Sequence, residues 1–283
     1  MSLPFGTIMN VKRFARTFLA STALLALHAI PALAEDNGKN IVNVAMVPNY
    51  PPFEFKDPAT DQLKGFDVDL GVALAKQMGM TLDWQETSFD QMMSALKTGR
   101  ADLILSGMTD LPARRESVDF IDYIKTGPQF YALKANRAAF PAEAALCGKK
   151  VGASRRTSFV DDIRNWSAAH CEKAGLPPVI AVGTDGSSDA RLQLRQGRLD
   201  AAVQGGETLP YQNSIDGDAY FAIGQPFLSQ YTGIAVEKSN TALRDAVIKA
   251  LAKLMADGGY RTILAKWQLQ EHAVPRVVVN SAD

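Results

Sequence analysis

The residues able to do chemistry fall into four short loops: 49–53, 106–114, 154–158 and 204–207. In the second, Ser106-Gly107-Met108-Thr109 sets hydroxyls and an open glycine backbone just ahead of Arg114 and Arg115. A planar guanidinium fork beside such donors suits a carboxylate held by paired hydrogen bonds; the ordinary alternative for Arg114 is a solvated surface charge. Tyr50 and Phe89 stand where a strand or a helix begins and offer flat apolar walls to a pocket, or aromatic rings to a core. Arg155, Arg156, Thr157 and Ser158 make up most of the third loop, and Gln204 to Glu207 the fourth. No Gly-x-Ser-x-Gly elbow, phosphate-binding glycine loop or His pair at metal spacing follows residue 34. Catalytic, metal and cofactor roles therefore have no candidates, and binding is the economical reading.

Loops of this kind need strands and helices to aim them. Ile41 to Val47 reads as a strand, Phe53 to Phe55 as a short extended piece, and 67–78 as a helix on its apolar spacing. Ser88 with Gln91 three residues on forms a capping box for a helix through Lys97, after which 102–105 is a buried strand. A second series starts at Lys149, continues with a helix near 161–171 and returns to a strand at 179–182. Alternation of this sort predicts α/β lobes built on mostly parallel sheets covered on both faces. Within them, 95–107 and 192–205 echo one another as helix, Gly-Arg-x-Asp, strand, glycine. The helices at 242–255 and 260–267 have no strand to cover and are expected to pack back on the first lobe. The chain then crosses between lobes twice, near 125–129 and 222–231, so that 40–125 and 230–283 form lobe 1 and 130–222 forms lobe 2. In open parallel sheets, ligands collect at the carboxyl ends of strands, where all four loops fall.

Lys12, Arg13 and Arg16 precede an apolar run from Phe18 to Ile30 and then Ala32-Leu33-Ala34. This is the pattern of a cleaved export signal over residues 1–34, and no cysteine for a lipid anchor follows it. Removing it leaves 27 basic against 30 acidic residues, about −3, which argues against a nucleic-acid partner. In an oxidising compartment Cys147 and Cys171 are a candidate disulfide; the alternative is two buried thiols.

Several stretches together resemble the amino-acid class of periplasmic solute-binding proteins that serve ABC importers, solute-binding family 3. They are Tyr50-Pro-Pro-Phe-Glu-Phe55, Gly65-Phe-Asp-Val-Asp-Leu70, Ser88-Phe89, Ser106-Gly-Met-Thr109 with Pro112 and Arg114, Val118-Asp-Phe120, Gly197-Arg-x-Asp-Ala-Ala-Val203 and Met255-Ala-Asp-Gly-Gly-Tyr260. The resemblance covers nearly the whole chain after residue 34. It implies a monomer with the two-lobed periplasmic binding fold (type II), its parallel-sheet lobes joined by a two-strand hinge. Tyr50 and Phe89 would sandwich a ligand side chain, Gly107 and Thr109 would meet its ammonium, and Arg114 would grip its carboxylate. Thr157 and Ser158 would add donors at the start of a lobe 2 helix. The family also often pairs cysteines placed like Cys147 and Cys171.

Two departures bear on the ligand. Gly205 stands where the resemblance places an acid for the ligand ammonium, with Glu207 as a substitute if the turn swings it inward, and as a surface residue otherwise. Arg156 stands where the family loop has glycine. A missing acid and an added base shift the expected ligand toward carboxylates such as glutamate-like compounds. The rival reading is an enzyme resembling cyclohexadienyl dehydratase on the same fold, for which Glu207 is the one acid in view; a sensory receptor role is a third.

Overall fold

The computed structural model describes residues 40–281, so the expected export signal lies outside the described residues. Strand β1 (Ile41–Met46) leads into a small antiparallel sheet of β2 (Asn49–Tyr50), β3 (Glu54–Lys56) and β4 (Leu63–Lys64). Helix α1 (Phe66–Met78) follows, burying Phe66, Leu70 and Leu74, one turn apart along one face. Next come β5 (Thr81–Glu86), α2 (Met92–Lys97), β6 (Leu103–Ile104), the short α3 (Pro112–Arg115) and the long β7 (Val118–Thr126). The expected capping box does not form. A 3-10 turn over Phe89–Gln91 precedes α2, and the Ser88 hydroxyl serves Asp90 rather than the helix.

At Thr126 the chain leaves the first lobe and enters the second with β8 (Pro128–Leu133), β9 (Lys150–Ser154) and α4 (Phe159–His170). This lobe continues with β10 (Ile180–Thr184), α5 (Ser187–Arg195), β11 (Ala201–Gly205), α6 (Leu209–Ile215) and β12 (Tyr220–Ile223). The chain returns through β13 (Gln230–Glu237), α7 (Thr241–Ala256), α8 (Gly259–Lys266) and β14 (Ala273–Val279). Strand order is β14-β7-β13-β6-β1-β5 in the first lobe and β10-β9-β11-β8-β12 in the second.

Two expectations are corrected here. The C-terminal segment is not purely helical, because β14 pairs antiparallel with β7 at the sheet edge. Both sheets are mixed rather than mostly parallel: β1, β5 and β6 run parallel, as do β9, β10 and β11, while the strands next to the crossings pair antiparallel. Reversal at the crossings is what allows one chain to build two sheets side by side. The crossings pass so close that a Cβ on Gly127 would lie 2.1 Å from the Leu228 carbonyl oxygen, so only glycine fits.

The sequence echo has a structural cause. Asp102 accepts a hydrogen bond from the Asn43 amide at 2.7 Å, and Asp200 accepts one from the Lys150 amide at 2.8 Å. In each lobe the aspartate after Gly-Arg-x thus ties the start of its strand to the neighbouring parallel strand.

Each sheet is covered on both faces. In lobe 1, Leu70 and Leu74 of α1 join Val247 and Leu251 of α7 and Tyr260 and Leu264 of α8 on one face, while Met92 and Leu96 of α2 cover the other. In lobe 2, Ile163 and Trp166 of α4 cover one face, and Leu194 of α5 with Leu209 of α6 the other. A disulfide joins Cys147 to Cys171 at the end of α4, closing a loop of 24 residues. By the chain-entropy model such a loop contributes about 3 kcal/mol. The Cys147→Ser/Cys171→Ser double variant is therefore expected to melt roughly 6–12 °C lower in a thermal unfolding scan.

Candidate ligand-binding cleft

A cavity of about 230 Å³ lies between the lobes at the carboxyl ends of β1, β6, β9 and β10. Lobe 1 supplies Tyr50, Glu54, Phe89, Ser106, Gly107, Thr109 and Arg114 to its wall, and lobe 2 supplies Arg156, Thr157, Ser158 and Asp185. Parallel strands deliver their following loops to one side, which is why residues far apart in sequence converge here.

Arg114 is the central cation. Its Nη1 donates to the Thr109 carbonyl oxygen at 2.7 Å, and its guanidinium lies over the Phe89 ring, 5.5 Å from the centroid. No carboxylate pairs with it among the described residues. Burial pushes its pKa below the usual arginine value. The neighbouring Asp110 is engaged instead by Arg115, at 2.5 and 2.9 Å. Arg114 thus presents a desolvated positive charge, held flat by an aromatic ring, on the wall of a cavity.

Glu207 is buried, only 4% exposed. A Cβ on Gly205 would lie 1.9 Å from its Oε1, so the Glu207 carboxyl occupies the space a side chain at 205 would need. Burial raises its pKa to about 7, and hydrogen bonds, including one from Tyr50, pull the other way. Its Oε2 has no protein partner. The turn that places it is held from below. Arg191 donates to Gln204 Oε1 at 3.2 Å, Gln204 donates to Thr208 Oγ1 at 2.6 Å, and Thr208 donates to the Gly205 carbonyl at 2.7 Å. The Tyr50 hydroxyl accepts from the Gly205 amide at 3.3 Å and so links the lobes. Burial, then the Glu207 charge, push the Tyr50 phenol well above its usual pKa.

Arg156 is half exposed and already compensated, lying 3.6 Å from Asp90 in lobe 1 and 3.5 Å from Asp185 in lobe 2. The Thr157 hydroxyl donates to the Ser154 carbonyl at 2.9 Å, and the Ser158 hydroxyl serves Asp162. Both residues line the cavity, with these hydroxyls engaged within their own loop.

Three expected site residues lie off the cavity wall: Met108, Gln204 and Glu207, the last buried in the turn described above. Met108 is buried in the lobe 1 core with Met92, Leu96 and Phe120, because an apolar side chain gains more under the sheet than in a polar cleft. Gln204 is buried and spends its amide on Arg191 and Thr208. Two features bear on the ligand expectation: Glu207 fills the space at Gly205, and Arg156, on the cavity wall, lies near two carboxylates. Three acids not expected from the sequence stand at or next to the cavity: Glu54 and Asp185 on its wall and Asp67 behind it. Glu54 and Asp67 are wholly buried beside Ser106 and Gly107, and the Asp67 charge, after burial, helps push the Glu54 carboxyl well above its usual value. The available signal was a charged residue between two phenylalanines in Phe53-Glu54-Phe55, and another directly after Phe66.

Two α/β lobes joined by two crossings, with an unpaired guanidinium in the cavity between them, define a protein that encloses a small solute. The chain belongs to the bacterial extracellular solute-binding proteins, family 3, which it matches over residues 42–270. It is 31% identical to the L-arginine-binding protein of Pseudomonas aeruginosa over 256 residues, 88% of this chain and 95% of that one. Among solved structures it resembles an ancestral arginine-binding protein bound to arginine, at 31% identity and TM-score 0.70 over 81% of this chain and 98% of the other. It also resembles an ancestral amino-acid-binding protein described as a precursor of cyclohexadienyl dehydratase, at 28% identity and TM-score 0.70 over 82% and 97%.

The Gly205 backbone has ordinary angles, φ −59° and ψ 127°, so space alone decides what fits there. Gly205→Ala is expected to destabilise the protein by about 1–3 kcal/mol, and to cost far less when Glu207→Gly is also present. Urea unfolding of the two single variants and the double variant reads that coupling directly.

Proposed function

We propose that this protein is the substrate-binding component of an ABC importer, closing by hinge motion on an α-amino acid that it delivers to an inner-membrane permease. The observation that carries this reading is Arg114, a desolvated guanidinium without a carboxylate partner on the cavity wall. A ligand α-carboxylate would supply the missing anion in a bidentate pair. Its ammonium would meet the Gly107 carbonyl, the Thr109 hydroxyl and the negative field of Glu54 and Glu207. Tyr50 and Phe89 would flank its side chain. A volume of about 230 Å³ suits a small solute. With Asp90 and Asp185 beside Arg156, that part of the cleft carries no net positive charge, which favours zwitterionic or cationic amino acids over acidic ones. The relatives named for arginine, histidine and cystine binding support the same preference.

Residues 40–125 with 230–283, and residues 130–222, are the bodies proposed to move. Several contacts already bridge them: Tyr50 to Gly205, Arg156 to Asp90, and Tyr211 of α6 against Phe55 and Trp267, with ring centroids 5.5 and 6.1 Å apart. A ligand touching both walls adds to these contacts only in the closed form, which is how it shifts the equilibrium. Residues 1–34 would direct export to the periplasm, where the protein would act as a monomer.

A second reading, a dehydratase, rests on Glu207, a buried acid with a pKa of about 7 and hence protonated for a large part of the time at neutral pH. Formation of product from prephenate or arogenate by the purified protein would establish it.

Titration calorimetry with arginine, histidine, cystine and glutamate tests the main reading. Binding of a basic or neutral amino acid in preference to glutamate is expected, and binding of glutamate alone would overturn the preference. Arg114→Ala is expected to weaken that binding by about 3–5 kcal/mol, because it leaves a carboxylate unpaired in a desolvated cleft; unchanged affinity would remove Arg114 from the site.

A further inference from the structure

Glu54 on β3 and Asp67 at the start of α1 are both wholly buried, and neither has a basic side chain as partner among the described residues. Their remaining contacts trace a ring. The Val47 amide donates to Ser106 Oγ at 3.1 Å, and the Ser106 hydroxyl donates to Glu54 Oε1 at 2.6 Å. Asp67 Oδ2 accepts from the Gly107 amide at 2.8 Å and from the Tyr123 hydroxyl at 3.0 Å. The other oxygen of each carboxyl, Glu54 Oε2 and Asp67 Oδ1, has no conventional donor. Each acid therefore grips one of two consecutive residues, Ser106 and Gly107, on the cavity wall, and the ring closes only where the two acids meet.

Two carboxylates in contact, away from water and without a cation, repel; one proton between them turns the repulsion into a strong hydrogen bond. We infer that Glu54 and Asp67 share a single proton, and that this proton is a structural part of the cavity wall, holding Ser106 and Gly107 in place. The pair acts as a positioning device and touches no reacting atoms. Of the groups packed around it, Tyr50 and Tyr123 are phenols, and Ser106 and the Gly107 amide are neutral. Asp69, two residues along α1, is taken up by Lys266 and Trp267.

The sign of the pH dependence follows from burial. Desolvation raises Asp67 to about 7 and Glu54 well above its usual value. A carboxyl raised on folding stabilises the fold at low pH, and that contribution is lost as pH rises through the folded value. The shared proton thus supports the loop in mildly acidic solution and is withdrawn in alkaline solution.

Glu54→Gln replaces the proton-bearing acid with an amide that donates to Asp67 and accepts from Ser106 at every pH. Thermal unfolding of the ligand-free protein between pH 5 and 9 is the test, and it does not depend on the transport reading. The variant should match wild type near pH 5 and gain on it by about 3–5 °C for each further pH unit over which the folded wild-type pair keeps a proton that the unfolded carboxyls have lost. Parallel curves, or a deficit in the variant at every pH, would overturn the inference. Should Glu54→Gln fail to fold, Asp67→Asn, which donates to Glu54 and accepts from Gly107, makes the same prediction. An infrared difference spectrum at pH 7, wild type minus Glu54→Gln, that shows a protonated-carboxyl band supports the shared proton; a difference spectrum without that band refutes it.

Discussion

Taking charge out of water is the constraint on which this cleft depends. Arg114, Glu54, Asp67 and Glu207 are all withdrawn from bulk solvent within a small region, and each isolated charge there carries a large desolvation penalty. The protein meets that penalty in different ways. Glu54 and Asp67 face each other and bind the loop, Glu207 is held between Tyr50 and its own turn, and Arg114 rests on an aromatic face with one carbonyl. Arg114 is the one cation of the four and has no carboxylate partner among the described residues; the proposed solute would supply one.

The fold makes such an arrangement affordable by keeping it at the ends of strands. Parallel strands in each lobe open toward the cleft, so their loops bring backbone amides and short polar side chains to one place without breaking the sheets beneath. The sheets themselves are ordinary apolar sandwiches, covered by helices on both faces. Because only two close-passing segments connect the lobes, the walls of the cavity belong to separate bodies. The contacts that bridge them are few and of different kinds: one phenol hydroxyl, one exposed ion pair and one cluster of aromatic rings. Contacts of that sort are individually weak, as the proposed hinge motion requires.

Much of this was legible from local signals. Apolar periodicity located α1, α4, α7 and α8 to within a few residues, and the Gly-Arg-x-Asp echo marked equivalent turns, where Asp102 and Asp200 tie neighbouring strands. The strand-end loops containing Tyr50, Thr109, Arg114 and Thr157 could be named because loop position follows from strand and helix order. Strand β14 was missed because it is an edge strand whose pairing with β7 is set by a partner about 150 residues away. The capping box at Ser88 failed because Asp90, two residues on, competes for the same hydroxyl.

Periodicity and the order of elements along the chain were enough for the lobed α/β architecture and for the cavity loops at 49–53, 106–114 and 154–158, and the sequence motifs were enough for the family. Only the tertiary structure decided the charge of the cleft. Whether Glu207 fills the space at Gly205, whether Arg156 is free or neutralised, and whether Glu54 meets Asp67 all turn on distances of a few ångströms between residues remote in sequence. Coulombic and desolvation energies change steeply over such distances, and local residue patterns carry no record of them.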